Sequence, residues 1–454
     1  MKQTVILPIL LTAAALVLAG CKGVPTHGEK QARRELVAVT DHYRPNQHKP
    51  ELPVLTADSS LSNFMAYALL NSPAVEAAYG DWAASVENIT VTRSLPDPQL
   101  TFQSDIADIV KTVMPGFMQQ FPGPGKLRAG AQVATAESQA KYFDFEGAIL
   151  QTAFDLKQAY YKLHFLNDQL RINRETLSLL NDLEQIARAQ NEVGKGTLQD
   201  VLRAQIERDR VSTDIANLED SRQPLLASFK AALGMTPDQT NPPVPGQLET
   251  ADLNPNADEL LKVAFARNPQ LKAMEADVRA AEAGIALAYK SRVPDFSLGL
   301  MADFKANPVV YRPLAEMTLP IWRDKTAAEI AGAKARELAA KARLTAAQIS
   351  LAVDFAEQSF AYREIGRNLD LLENRLIPKA RQSLEIARAG YLAGTIDFFN
   401  LMDTERTLLN FELSEVEARV QREIVLARLS LLIAGQPPAG EDWLNQSITQ
   451  QASK

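Results

Sequence analysis

The stretch Ile186–Ala189, with the sequence Ile-Ala-Arg-Ala, occurs twice in the chain. The second copy is Ile386–Ala389, and a glycine follows each copy at the same offset, as Gly194 and Gly394. Helical sequence precedes and follows each glycine. Glycine permits the positive φ that a tight turn between two helices often needs. The sequence therefore predicts two helical hairpins.

Two further landmarks recur in both copies. Each copy has a Pro that begins a helical segment (Pro73, Pro269) and an apolar residue followed by Pro before a much longer one (Phe121-Pro122, Leu319-Pro320). Self-similarity of this kind indicates a duplicated architecture. The predicted boundaries are a first repeat over 59–236, a linker over 237–257, a second repeat over 258–436 and a C-terminal tail over 437–454.

Each repeat contains one very long helical segment, 127–192 in the first and 326–392 in the second. At a rise of 1.5 Å per residue, each helix would be on the order of 100 Å long. Such helices need coiled-coil packing, and the apolar residues from Leu163 to Leu180 have that spacing. Pro378 lies inside the second segment and is expected to kink it.

The remaining helices are shorter. Returning helices are expected at about 198–233 and 396–434, and first helices near 60–93 and 258–292. A returning helix is little more than half as long as the helix it follows. Each long helix is therefore expected to pair with two shorter helices stacked end to end.

Short strands are predicted at about 98–122 and 294–320. Phe296, Leu298 and Leu300 alternate with smaller residues, and Leu100 and Phe102 do the same. This period-two pattern is typical of transmembrane β-barrels, and it also fits two soluble hairpins. Four strands cannot enclose a pore, since even small barrels need about eight. Either the hairpins stay in water or several chains share one barrel.

The N-terminus has the features of an export signal. Residues 1–20 combine a positive start with an apolar run that is too short to span a bilayer. The run ends in Leu-Ala-Gly before Cys21, which matches the lipobox of bacterial lipoproteins, although a plain signal peptide is the alternative. Lipidation of Cys21 would anchor the chain to a membrane. Residues 21–58 are polar and interrupted by Pro, and we expect an extended tether.

Composition and motifs exclude several classes of function. The net charge of −7 gives no reason to expect nucleic-acid binding. Cys21 is the single cysteine, so no internal disulfide is possible. The four histidines have no metal-ligand spacing, and neither a catalytic triad nor a nucleotide fingerprint is visible. We therefore predict that the protein is not an enzyme and uses no metal or cofactor.

Together, the lipobox, the duplicated unit and the glycine-centred turns resemble the TolC family of outer membrane efflux ducts over about residues 59–436. The most specific motif is Tyr-Leu-Ala-Gly at 391–394. The sequence departs from the family pattern mildly, with Asn191 in place of the Tyr in the first copy and Thr404 in place of the usual Ala.

The resemblance implies a mainly α fold with a small β part. Three chains would form a periplasmic α-barrel and a 12-stranded transmembrane β-barrel in the bacterial outer membrane, anchored there by lipid. Partners would be the other two chains of the homotrimer, a periplasmic adaptor and an inner membrane pump. The duct would export drugs or metal ions passively. The alternatives are type I protein secretion and, from a different class, a periplasmic coiled-coil adaptor or scaffold.

The resemblance also assigns candidate sites. The periplasmic tips, which would dock the adaptor, are Val193, Gly194, Lys195, Gly196, Thr197, Ala393, Gly394 and Thr395. The periplasmic gate would comprise Asp403 and Asn400 in the second copy and Asp200 in the first. Rings of Asp in a trimer select cations, whereas ordinary solvated helix charge is the alternative.

The segment 119–126 ends in Gly-Pro-Gly-Lys. It lacks the spacing of a phosphate-binding loop and the Ser or Thr after the Lys. It is expected to mark the crossing from the strands to the long helix. It also resembles the Pro-Gly-Lys junction of ducts from heavy-metal efflux systems, which makes metal ions one of the candidate cargoes.

Overall fold

The computed structural model describes residues 24–105, 112–244 and 257–433. Helix α1 (His27–Tyr43) precedes the duplicated part. The first copy contains α2 (Leu61–Asn71), α3 (Pro73–Arg93), β1 (Gln99–Gln103), β2 (Met114–Phe121), α4 (Lys126–Glu192) and α5 (Leu198–Ala232). The second contains α6 (Ala257–Arg267), α7 (Pro269–Lys290), β3 (Phe296–Asp303), β4 (Val310–Met317), α8 (Arg323–Leu371), α9 (Ile377–Leu392) and α10 (Phe398–Ile433). The predicted fold, mainly helical with a small sheet, is confirmed.

The two long helices differ where the proline predicts a difference. Helix α4 continues from Lys126 to Glu192 without a break. In the second copy a π-helical turn, Leu372–Leu376, separates α8 from α9, and the Ile377 N–H donates to the Leu372 carbonyl. Pro378 has no N–H to donate, and the wider turn directly precedes it. The expected kink is therefore a π turn with helix on both sides. Among the described residues, no helix is long and apolar enough to cross a membrane.

Helices begin at Pro73 and Pro269, as the sequence predicts. The first helix expected near 60–93, and that expected near 258–292, are each two helices that meet at the proline, because the residue before Pro disfavours helical backbone. Ser72 is extended, with ψ at 120°, and its hydroxyl accepts from the Val75 N–H at 3.4 Å. In the second copy, the Asn268 side chain accepts from the Leu271 N–H at 3.2 Å.

Each break meets the end of a returning helix. The Asn71 side-chain amide donates to the Leu233 carbonyl at 2.8 Å. The Asn268 amide donates to the Leu432 carbonyl at 3.1 Å. Each returning helix thus ends beside the start of the short helix of its own copy, at Pro73 in the first copy and at Pro269 in the second. The helix lengths predict this end-to-end arrangement.

The four strands form one antiparallel sheet in the order β1-β2-β3-β4. Strands β2 and β3 pair across the two copies, with Phe121 opposite Phe296. Strand β4 covers Val310–Met317 and pairs with the whole of β3.

The described residues fall into two compact units. The first comprises Tyr79–Phe143, Lys272–Thr345 and the described part of Met1–Gln47, and it contains the sheet. Its core includes Trp82, whose ring lies 4.9 Å from that of Tyr142. The second unit comprises His48–Ala78, the described residues of Asp144–Leu271 and those of Ala346–Lys454.

The expectation of an extended tether over 21–58 is wrong, since α1 occupies much of it. The Thr26 hydroxyl accepts from the Glu29 N–H at 3.1 Å and caps this helix. Glu29 is buried and pairs with Arg93, and the Thr90 hydroxyl donates to its carboxylate at 2.7 Å. These partners on α3 hold α1 against the body, because a buried charge needs its counter-charge. Residues 1–20, Cys21 and the tail 437–454 lie outside the described residues.

The segment 119–126 joins the sheet to α4. The Lys126 ammonium lies 2.7 Å from the Asp295 carboxylate, which also accepts from the Gly123 N–H at 2.6 Å. The segment therefore makes a polar anchor between the end of β2 and the residue before β3.

Candidate functional site

The two predicted turns have the same backbone geometry. The φ angles of Gly194 and Gly394 are 73° and 76°. The Lys195 N–H donates to the Gln190 carbonyl at 2.8 Å, and the Thr395 N–H donates to the Gly390 carbonyl at 2.9 Å. These bonds are typical of helices that end at a left-handed residue. The predicted positive φ is confirmed, and the turns are exposed in the isolated chain.

Each returning helix begins with a side-chain cap, but the caps differ. In the first copy, the Thr197 hydroxyl accepts from the Asp200 N–H at 3.2 Å. The Asp200 carboxylate accepts from the Thr197 N–H at 2.9 Å, which completes a capping box. In the second copy, the Asp397 carboxylate accepts from the Asn400 N–H at 2.8 Å. Asp200 therefore has a structural role in its own turn.

The structure brings Asp200 of the first copy close to Tyr391 of the second. The Tyr391 ring is buried and lies 5.1 Å from that of Phe398. Burial raises the pKa of the Tyr391 phenol, and the nearby Asp200 charge adds to that effect. Asp403 and Asn400 are exposed on the first turns of α10. A gate role for these three polar residues stays a prediction.

One apolar core joins the two turns within the second unit. The buried residues of this core come from four helices, and we call them the tip core: Ile172, Leu180, Leu183, Ala187, Val201, Ala204, Val211, Leu384, Ala387, Tyr391, Phe398, Leu401, Met402, Leu409 and Val416. Polar contacts cross it, since Arg406 of α10 donates to Glu207 of α5 at 2.7 Å. The Arg203 guanidinium lies 5.3 Å from the Phe399 ring. The two hairpins are therefore packed together at their turns.

Two buried carboxylates beside the tip core, Glu184 and Glu405, are not among the residues that the sequence predicts. Glu184 of α4 accepts from Arg188 and Arg208, each at 2.6 Å, and from the Gln205 amide at 2.9 Å. The hydrogen bond from Arg188, followed by that from Gln205, holds the pKa of Glu184 below its usual value. This carboxylate is well satisfied.

Glu405 of α10 has the opposite environment. It is 2% exposed, and its Oε2 has no hydrogen-bond partner among the described residues. Burial raises its pKa to about 7, and the Glu207 charge adds to that rise while Arg406 opposes it. The sequence did carry a signal, because Leu401, Glu405 and Leu409 follow steps of four and place a carboxylate on the apolar face.

The outer faces of the two turns also differ. Leu198, Leu202 and Ile206 form an exposed stripe at steps of four on α5. Their counterparts Phe398 and Met402 on α10 are buried in the tip core. The first copy therefore presents an apolar surface that the second keeps inside.

In the part of the chain that the structure describes, no group of three or more His, Cys, Asp or Glu side chains could hold a metal ion. The chemistry that the site offers is charge, hydrogen bonding and apolar contact.

Known proteins share this architecture. The family model described as "Outer membrane efflux protein" matches residues 65–235 and 260–435. The cobalt-zinc-cadmium resistance protein CzcC of Cupriavidus metallidurans is 21% identical over 323 residues, which are 70% of this chain and 77% of CzcC. The structure of VceC from Vibrio cholerae has a TM-score of 0.70 at 18% identity, over 83% of this chain and 96% of VceC. That of CusC has a TM-score of 0.74 at 16% identity, over 86% of this chain and 98% of CusC. Because the family model matches both copies of the repeat, this chain belongs to the outer membrane efflux protein family.

Proposed function

We propose that this chain is the outer membrane channel subunit of a tripartite efflux system, a passive duct for small solutes. The observation that carries the proposal is the duplicated hairpin body that packs its two turns into one core while both copies share one sheet. That arrangement is the one expected of the family to which the chain belongs. It supplies a conduit wall and requires no chemistry of its own.

The duct is a homotrimer in this proposal. Strands β1 and β4 are the edges of the sheet, and edge strands need a pairing partner or protection. In the isolated chain, α8 exposes Ile349, Val353 and Phe360 at one-helix-face spacing, each by half or more. Neighbouring copies would cover both features, and three copies would bring twelve strands together.

The remaining contacts follow from the turns and the N-terminus. The exposed tips, from Val193 to Thr197 and from Ala393 to Thr395, would dock a periplasmic adaptor that leads to an inner membrane pump. Asp403, Asn400 and Asp200 would line the gate. Lipid on Cys21 would add an anchor in the outer membrane.

Metal ions are the first solutes to test. The relative CzcC is named a cobalt-zinc-cadmium resistance protein, and the Gly-Pro-Gly-Lys junction led to the same expectation. A strain that lacks the gene should lose resistance to cobalt, zinc or cadmium, or to cationic drugs, and the intact gene should restore it. Loss of a secreted protein with unchanged resistance would favour the type I secretion alternative instead.

Fractionation of a Cys21→Ala variant tests the alternative of an adaptor or scaffold lipoprotein. A duct should stay in the outer membrane without its lipid, because its sheet is embedded there. Release of the variant as a soluble protein would support the alternative and contradict the duct.

A further inference from the structure

Glu405 differs from its counterpart in the first copy. The two copies align at a constant offset through both hairpin turns, so Gln205 corresponds to Glu405 and Glu184 to Leu384. In the first copy, the Gln205 amide bonds to the Glu184 carboxylate at 2.9 Å. In the second copy the carboxyl group lies on the returning helix, and the corresponding place on α9 holds the apolar, buried Leu384.

The charges around Glu405 do not neutralise its carboxylate. Glu207 on α5 adds a second carboxylate, which is 5% exposed and pairs with Arg406 at 2.7 Å. Arg210 lies 3.6 Å from the same carboxylate. On α4, Glu184 is already neutralised by Arg188 and Arg208. On α9, the ionisable group of the tip core is the buried phenol of Tyr391.

Two carboxylates from different hairpins therefore lie in one buried region, and a single arginine, Arg406, acts on both. A protonated Glu405 can stay in this apolar environment. An ionised Glu405 introduces a second negative charge with little solvation, and like charges at close range in a low dielectric repel strongly.

We propose that Glu405 makes the packing of the two hairpin turns proton-dependent, with the turns held together when it is protonated and loosened when it ionises. This inference rests on the proposed duct function, because loosened turns matter where they narrow a conduit. The expected partner of Glu405 is thus the proton itself. The duct would pass solutes more readily in neutral or mildly alkaline surroundings than in acid.

Two readouts on the purified full-length trimer test this proposal. The first is conductance in planar bilayers at constant salt, measured from about pH 5.5 to 8.5. The wild-type protein should conduct more as the pH rises, with its midpoint near the pKa of about 7. Glu405→Gln should remain at the low, acid-like conductance throughout. Glu417→Gln, an exposed change on the same helix, is the matched control and should keep the wild-type midpoint.

The second readout is thermal unfolding of the same proteins, which does not depend on conduction. The unfolding temperature of the wild type should fall more between pH 5.5 and 8.5 than that of Glu405→Gln. In addition, Leu384→Gln supplies an amide for the Glu405 carboxylate, as Gln205 does for Glu184. Because a hydrogen bond to the ionised form favours it, this variant should lower the pH midpoint of the conductance.

The outcomes separate the two proposals. If no variant conducts, the duct function fails, and the unfolding temperatures still decide the role of Glu405. Equal pH dependence of wild type and Glu405→Gln, in conductance or in unfolding temperature, would overturn the proposal.

Discussion

The two hairpin turns share a backbone and differ in what they bury. Gly194 and Gly394 have φ angles within a few degrees of each other. Yet in the first copy three donors satisfy the buried Glu184 carboxylate, while in the second an oxygen of Glu405 has no partner among the described residues. The first copy also exposes the Leu198–Ile206 stripe, whose counterparts Phe398 and Met402 lie in the tip core.

The backbone of the turn therefore does not determine which side chains around it are buried. The turn requires a glycine, a helix-ending hydrogen bond and a cap, and both copies keep all three. The side chains outside that requirement differ between the two copies. Both turns keep an exposed tip, and the exposed stripe from Leu198 to Ile206 gives the first turn an additional apolar surface.

The largest effect is expected at the glycine of the second turn. Gly394→Glu should abolish export, because it combines a strained positive φ, about 1–2 kcal/mol for an L-residue, with a charge on a docking surface. Gly394→Asn is the control, since Asn tolerates this backbone. Resistance assays and trimer assembly should be measured together. Full export by Gly394→Glu would contradict the assignment of this turn as a docking tip.

The next effect distinguishes the two buried carboxylates by pH. Glu184→Gln should lower the free energy of unfolding by about 2 kcal/mol at pH 7, because the buried carboxylate loses its ion pairs with Arg188 and Arg208. The pKa of Glu184 is lowered in the folded state, so its contribution is present above the unfolded pKa and is lost as the pH falls. The defect should therefore shrink below about pH 4. Chemical denaturation at pH 7 and below about pH 4 measures this change. An equal loss of stability at the two pH values would show that the charge of Glu184 is not the cause of the loss.

A smaller effect compares the caps. Thr197→Ala and Asp397→Ala should each cost about 1 kcal/mol in stability, the usual value of a helix N-cap. Thr197→Ala also breaks the capping box and frees the Asp200 carboxylate. Chemical denaturation of both variants provides the comparison. If neither variant is destabilised, the hydrogen bonds at the caps contribute nothing measurable.

The smallest effect on stability is expected at Asp403. Its side chain is exposed, so Asp403→Ala should leave unfolding within about 0.5 kcal/mol of wild type. It should nevertheless change the cation selectivity or raise the conductance of the trimer, if three such carboxylates line the gate. Currents that match wild type at several pH values would remove Asp403 from the gate.

Local signals in the sequence explain which parts of the fold could be predicted. Gly194, Gly394 and the prolines mark helix ends chemically, and they fixed the hairpins and the bounds of α4. The tether over 21–58 was predicted wrongly because what holds α1 lies elsewhere in the chain, where Arg93 and Thr90 bind Glu29.

The candidate site was predictable in its turns and not in its core. A pattern of exposed and apolar residues cannot show that Gln205 bonds to Glu184, or that one oxygen of Glu405 has no partner in the described part of the chain, because such pairings depend on how helices pack. An alignment of the two copies does carry a signal at these positions. The first copy has Gln205 and Glu184, and the second has Glu405 and Leu384 in their places.

The central claim is that several copies of this chain form a conduit. It is tested most directly by the conductance of the purified, detergent-extracted protein after insertion into a planar bilayer, with its mass determined beforehand. We expect a trimer that gives discrete, reproducible current steps. A monomer that never produces such steps would contradict it.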